Sequence, residues 1–289
     1  MEPVRTETSA PRIPVLGLLA LVWGSNFFWI KLALRGLAPD QVAFVRLTLG
    51  ALVLVLVVVL RGDRFPTAPA LWLHLSVAAV LGNVAPYLLF AFAEQRVDSS
   101  IAGIVNATTP LWTVVVVVAV RHGGRLGAWR LTGTAIGFLG ALLIFAPWTH
   151  SSQIMSRSGL ECLLAAACYA VAFVYMARFV APSGLPPLTL AAGQLAASAV
   201  LVSLTLPFMG RHALHLTAQS VGAALILGAI GTGLAYVLNY TLVAESGAAA
   251  TSLVTYLIPI VAVILGVAVL GESLPWRVVA GAVIVLGGV

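Results

Sequence analysis

Charged side chains divide this chain into long stretches that contain none: residues 13–30, 47–60, 65–93, 99–120, 131–156, 162–177, 179–210, 212–244, 246–271 and 278–289. A helix needs about 20 predominantly apolar residues to cross a bilayer, because ~30 Å of hydrocarbon is traversed at 1.5 Å per residue. The ten windows therefore predict ten membrane-spanning helices. Windows 47–60 and 162–177 reach full length once Arg46 and Glu161 lie inside helix ends. The last window holds too few residues to span, so the chain is expected to run on past Val289.

Strands are a poor alternative. Membrane barrels alternate apolar and polar residues in segments of about ten, whereas residues 52–60 (LVLVLVVVL) and 113–120 (TVVVVVAV) are apolar on every face. All-round apolarity suits helices immersed in lipid. The stretch Ile13 to Leu34 does not read as a cleaved signal peptide: it is long and carries Trp23 and Asn26, with no small-residue cleavage site before it.

The second half of the chain repeats the first. A shift of 149 residues brings Gly82 onto Gly231, Tyr87 onto Tyr236 and Pro110 onto Pro259, with Asn83 on Thr232 and Asn106 on Thr255. A shift of 148 places Arg46 on Gln194, and one of 147 places Trp129-Arg130 on Trp276-Arg277. The expected layout is a tail (1–12), a first five-helix repeat (13–147), a polar connection (148–157) and a second five-helix repeat (158–289). Five is odd, so the second copy enters the membrane from the opposite side and the repeats are inverted. Many secondary carriers are built this way, with their solute site near the midplane.

Basic residues orient the bundle. With the N-terminus inside, inner segments of the first half hold Arg5, Arg12, Arg61, Arg64, Arg121, Arg125 and Arg130, against Lys31, Arg35 and Arg96 outside. The second half is nearly uninformative, with Arg178 inside and Arg157, Arg211 and Arg277 outside. Both termini are expected on the cytoplasmic side of the inner membrane.

Composition narrows the picture further. Hydrophobic residues make up 61% and charged residues 8%, where a soluble domain carries roughly 25% charged. That shortfall excludes a soluble enzyme of ordinary surface, a disordered chain and, despite a pI near 9.9, a nucleic-acid binder. The net charge of +6 suits basic loops facing anionic headgroups. Cys162 and Cys168 make no disulfide scaffold, and no Cys/His grouping resembles a zinc site.

The first helix LALVWGSNFFWIKLAL, the segments PLWTVVVVV and PIVAVILGVAVLGESL, and the five-plus-five layout resemble the EamA branch of the drug/metabolite transporter superfamily. The Leu270-Gly271-Glu272 triplet is typical of it, and its first-half counterpart is altered to RHGG. Within the branch the chain is similar to YddG-like exporters of aromatic amino acids. The resemblance implies a multi-pass carrier with a small-molecule substrate and the lipid bilayer as partners. It implies no catalytic residue, no metal and no other cofactor.

Helix spacing selects candidate cavity residues independently. Asn83, Tyr87, Phe90 and Glu94 share one face of the third span, and Thr232, Tyr236, Asn239 and Val243 the equivalent face of the eighth. Such a stripe lines a path between the repeats, or else ties helices together by hydrogen bonds. Pro110 and Pro259 each withhold an N–H from the carbonyl four residues back, on Asn106 and Thr255, with Tyr256 adjoining. The first span adds Trp23, Asn26 and Phe27, and the sixth Tyr169 and Phe173, rings that could stack on a planar solute. The expected substrate-binding set is Trp23, Asn26, Asn83, Tyr87, Asn106, Tyr169, Tyr236, Asn239, Thr255 and Tyr256.

Other residues carry blander expectations. Trp72, Trp129, Trp148 and Trp276 read as interfacial anchors, while Trp23 and Trp112 lie deeper and face either a cavity or lipid. His74 reads as an interfacial histidine. Arg46 and Glu161 either pair across the repeats or leave Glu161 to Arg157 one turn back. No Asp or Glu falls at mid-depth, which favours transport down a gradient. Gly133, Gly137 and Gly140, with Gly281 and Gly288, give faces for close helix approach, within the chain or between subunits. The rival readings are a broad drug or metabolite exporter and an integral-membrane enzyme. An enzyme needs clustered ligands, and His122, His150, His212 and His215 are scattered over loops.

Overall fold

A computed structural model of the chain describes residues 13–93, 96, 99–120, 127–146, 148, 155–208, 215–270 and 276–288. The tail 1–12, most of the connection 148–157, Glu94, the RHGG at 121–124, Gly271-Glu272 and the side chain of Phe27 lie outside the described residues. The described residues are all-helical and contain no strand. The helices are α1 (Ile13–Ala33), α2 (Pro39–Leu60), α3 (Pro69–Ala93), α4 (Ser99–Asn106), α5 (Thr109–Ala119) and α6 (Ala128–Phe145). They continue with α7 (Arg157–Ser183), α8 (Pro187–Ser203), α9 (Ala218–Ser252), α10 (Val254–Leu270) and α11 (Trp276–Gly288).

Local chemistry explains the starts. α2, α3 and α8 each open on a proline, whose missing N–H would be unsatisfied at that position anyway. Ser156 caps α7 by accepting from the Gly159 N–H at 3.2 Å, and Thr217 caps α9 by accepting from Ser220 at 3.1 Å. Among the described residues five helices are long and apolar enough to cross a membrane, and α2 at 22 residues rises about 33 Å. Outward faces such as Leu52, Leu56 and Val59 on α2 are exposed hydrocarbon, as lipid immersion requires.

Three helices carry π-helical segments among the described residues, α7 at Met176–Val180 and two others at matching places. α3 carries a π-helical segment at Val80–Val84 and α9 another at Ala229–Leu234, their starts 149 residues apart. The fourth window is broken into α4 and α5 by a turn at 107–108, so Pro110 sits in the first turn of a new helix. This corrects the expectation of a mid-helix proline there, because the chain resolves the conflict by restarting the helix. Pro259, in contrast, lies inside α10. α9 merges two helices across Gly247, whose φ of 80° and ψ of 173° require glycine.

Packing between the halves is reciprocal. α1 packs on α9 and α10, while its counterpart α7 packs on α3, α4 and α5. α2 packs on its own counterpart α8, and α6 on its counterpart α11. The glycine faces belong to this last contact. A methyl group on Gly140 would lie 2.6 Å from the Val285 amide nitrogen, and one on Gly281 would lie 2.6 Å from Ile144 Cγ1. The close approach is therefore internal to the chain. Trp129, Trp148 and Trp276 are exposed, while Trp72 donates to the Pro66 carbonyl at 2.8 Å and stacks on Phe65.

Candidate functional site

A cavity of about 220 Å³ lies where α1, α2, α3, α4, α7, α9 and α10 converge. That exceeds the roughly 150 Å³ of an engineered apolar cavity that takes up benzene. Eight of the sequence-derived candidates line it: Trp23 and Asn26 on α1, Tyr87 on α3, Asn106 on α4, Tyr169 on α7, Tyr236 and Asn239 on α9, and Thr255 on α10. Asn83 and Tyr256 are not on its wall. Asn83 is fully buried and accepts from Gln194 Nε2 at 2.6 Å, while Gln194 also reaches the Ala78 carbonyl at 3.2 Å. The Tyr240 hydroxyl donates to Gln194 Oε1. Tyr256 donates to the Thr134 carbonyl at 3.0 Å and so ties α10 to α6. For these two residues the helix-to-helix reading is the one the geometry matches.

The aromatic wall is ordered by ring contacts. Trp23 meets Tyr236 edge-on at 6.4 Å, and Phe90 stacks on Tyr169 at 6.1 Å. The polar atoms are mostly held by backbone. Asn26 Nδ2 donates to the Gly231 carbonyl at 3.2 Å, and the Tyr236 hydroxyl to the Gly82 carbonyl at 2.5 Å. Pro86, four residues after Gly82, has no N–H to offer that carbonyl. Thr255 bonds back to Ser252 at 2.8 Å, and Asn106 accepts a long contact from Thr109 at 3.4 Å. The Oδ1 atoms of Asn26 and Asn239 are buried without a hydrogen-bond partner. Trp112 faces outward at 37% exposure and is not on the wall, which places Trp23, and not Trp112, at the cavity.

Arg46 was missed as a site residue by sequence reasoning. It stands on α2, only 8% exposed, and lines the cavity. Its Nε donates to Thr232 Oγ1 at 3.1 Å, its Nη2 approaches the Tyr87 hydroxyl at 3.4 Å, and its guanidinium lies 4.1 Å over the Tyr87 ring. The expected alternative of an Arg46–Glu161 pair is not formed, because Glu161 is held by Arg157 at 3.2 Å one turn back. The available signal was the shift that sets Arg46 against Gln194. Arg46 bonds Thr232 as Gln194 bonds Asn83, and Thr232 and Asn83 are themselves repeat equivalents. His74 is off the wall and shares a 2.7 Å hydrogen bond with Tyr175.

A lipid-faced helical bundle whose reciprocal halves enclose a solute-sized cavity has the build of a membrane carrier. Residues 13–146 and 159–289 each match the model of the EamA-like transporter family, and the chain belongs to that family. It is 26% identical over 276 residues to the uncharacterized transporter YdfC of Bacillus subtilis (strain 168), covering 94% of this chain and 87% of that protein. It is 29% identical over 268 residues to the uncharacterized inner membrane transporter YedA of Escherichia coli (strain K12), covering 91% and 84%. A solved crystal structure shares the fold with a TM-score of 0.77 at 18% identity, over 95% of this chain and 93% of that one. The chain is thus a membrane-embedded protein of a transporter family, and these relatives' names specify no substrate.

Proposed function

We propose that the chain carries small organic solutes out of the cell by alternating access around the central cavity, with aromatic or bulky apolar amino acids as the leading substrates. The observation that carries this reading is the cavity itself, walled by Trp23, Tyr87, Phe90, Tyr169 and Tyr236 and lying between two copies of one family repeat. The transmembrane layout is ten spans in inverted repeats, 13–147 and 158–289, joined by 148–157. Five long helices, the α4–α5 pair, and α6, α8, α10 and α11 supply ten crossings, and the reciprocal packing of counterparts supports the inversion. The inner membrane is taken from the name of YedA, an inner membrane transporter. With the N-terminus inside, Ile30, Leu34 and Pro39 extend the cavity toward the outer side. No enzymatic role is proposed; the family and its relatives are transporters by name.

The test is counterflow of labelled L-phenylalanine into proteoliposomes of the purified protein, competed with a panel of amino acids and drugs. Competition by aromatic and bulky apolar amino acids supports the reading. Competition by unrelated drugs alone would replace it with broad drug export.

A further inference from the structure

Of the described residues on the cavity wall, Arg46 alone carries a formal charge. An arginine keeps its proton inside proteins and offers five N–H donors. Here the protein uses Nε on Thr232 and, at 3.4 Å, one hydrogen of Nη2 on the Tyr87 hydroxyl. Both acceptors are neutral. The ion pairs formed between described residues are Arg61–Asp63 and Arg157–Glu161, and neither places a described carboxylate within ion-pair distance of the guanidinium. Among the described residues Nη1 has no hydrogen-bond partner, and Arg46 lines the cavity.

The guanidinium is also oriented. The Tyr87 ring covers one face at 4.1 Å, and Thr232 occupies the Nε edge. What remains free is the end-on fork of Nη1 and Nη2, the geometry that grips a carboxylate with two parallel bonds. A charged side chain within a membrane protein is costly unless paired, and it is kept where it faces a solute path.

We infer that Arg46 is the counter-ion of the substrate, and that the carried solutes are small monocarboxylates whose apolar or aromatic body packs against Trp23, Tyr169 and Phe173. Amino acids qualify through their carboxylate, and purely cationic amines do not. This rests on the transport reading above and narrows it, since a broad drug exporter would favour lipophilic cations as readily as acids. Thr232 and Tyr87 are positioning residues that aim the fork. The carboxylate also completes the electrostatics of the site, neutralising a cation whose protein hydrogen-bond partners are the hydroxyls of Thr232 and Tyr87.

The experiment compares three probes of one shape and different charge on the purified wild-type protein: 3-phenylpropionate (carboxylate only), L-phenylalanine (both groups) and phenethylamine (ammonium only). Binding is read by isothermal titration, and L-phenylalanine counterflow is measured in parallel. Both carboxylates should bind, and phenethylamine should bind at least about thirtyfold more weakly, the low end of the loss when a buried charge pair lacks one partner. Arg46→Gln should lose a similar factor for 3-phenylpropionate, Arg46→Lys a smaller one, and Thr232→Val only a few-fold. Equal binding of phenethylamine, or full affinity in a folded Arg46→Gln, overturns the inference and leaves transport standing if counterflow persists. If no probe binds and no counterflow occurs, the transport reading for aromatic solutes falls and this inference with it. The charge series on the wild type decides the matter even where a variant does not fold.

Discussion

Tyr236 donates its hydroxyl to the carbonyl of Gly82 at 2.5 Å, and the repeat equivalent of that carbonyl, on Gly231, receives Asn26 at 3.2 Å. In each half a backbone acceptor within a π-helical segment is thus satisfied by a side chain from the other half. A π-segment loosens the regular ladder, and in the membrane an unsatisfied carbonyl is expensive. The two bonds therefore fasten the halves together beside the cavity.

Tyr236→Phe should lower stability by about 1–2 kcal/mol, because it strands the Gly82 carbonyl while keeping the ring against Trp23. Thermal unfolding in detergent measures this. Counterflow should survive in Tyr236→Phe, whereas Tyr236→Ala and Tyr87→Ala should each reduce it while leaving purified protein monodisperse. Loss of folded protein in both alanine variants would mean that the stripe serves packing alone.

How much of this was legible in the sequence follows from what each residue's neighbours reveal. Tyr236 and Gly82 were visible because both recur at a shift of 149, and repeat matching reports residues kept in both halves. Asn83 falls on another polar residue, Thr232, yet its partner Gln194 lies 111 residues away on another helix, and no single-helix pattern distinguishes a cavity wall from an interhelical bond. The depth of Arg46 was legible, since α2 begins at Pro39, seven residues or about two turns earlier. Its place on the cavity wall was not, because charge spacing reports where a span ends and not which way a side chain on it faces. Pro110 misled for a related reason: a proline announces a break, and whether the helix kinks or restarts depends on the turn at Ala107–Thr108.

The α6–α11 contact offers a sharper steric test. Gly140→Val should cost several kcal/mol or prevent folding, since even the first added carbon would sit 2.6 Å from Val285 N and 2.7 Å from the Gly281 carbonyl. Gly17→Ala, with nothing within 4 Å of the new methyl, should leave the melting temperature within about a degree or raise it slightly. Equal effects from the two substitutions would contradict the internal glycine interface.

Orientation can be checked without any substrate. Reporter fusions at residue 1 and after residue 289 should both show cytoplasmic signals, following the arginine bias of the first half and an even number of crossings. An external signal at the N-terminus would invert the bundle and turn the cavity's extension past Leu34 and Pro39 toward the cytoplasm.

Energy coupling is the remaining mechanistic choice. Ion-driven carriers commonly keep a carboxylate or histidine in the membrane to bind the driving ion. Here the described wall holds only Arg46 as a charge, Glu161 pairs through Oε1 with Arg157 off that wall, and His74 is bonded to Tyr175 away from the cavity. Transport is therefore expected to follow the substrate gradient. Liposomes clamped at equal pH and sodium on both sides should equilibrate labelled L-phenylalanine and accumulate it no further. A pH step should leave that end point unchanged. Accumulation above equilibrium on a pH step, abolished by Glu161→Gln or by His74→Ala, would overturn the passive mechanism. The residue whose substitution abolished it would then be the proton site, reached by breaking its present bond to Arg157 or Tyr175 during the transport cycle.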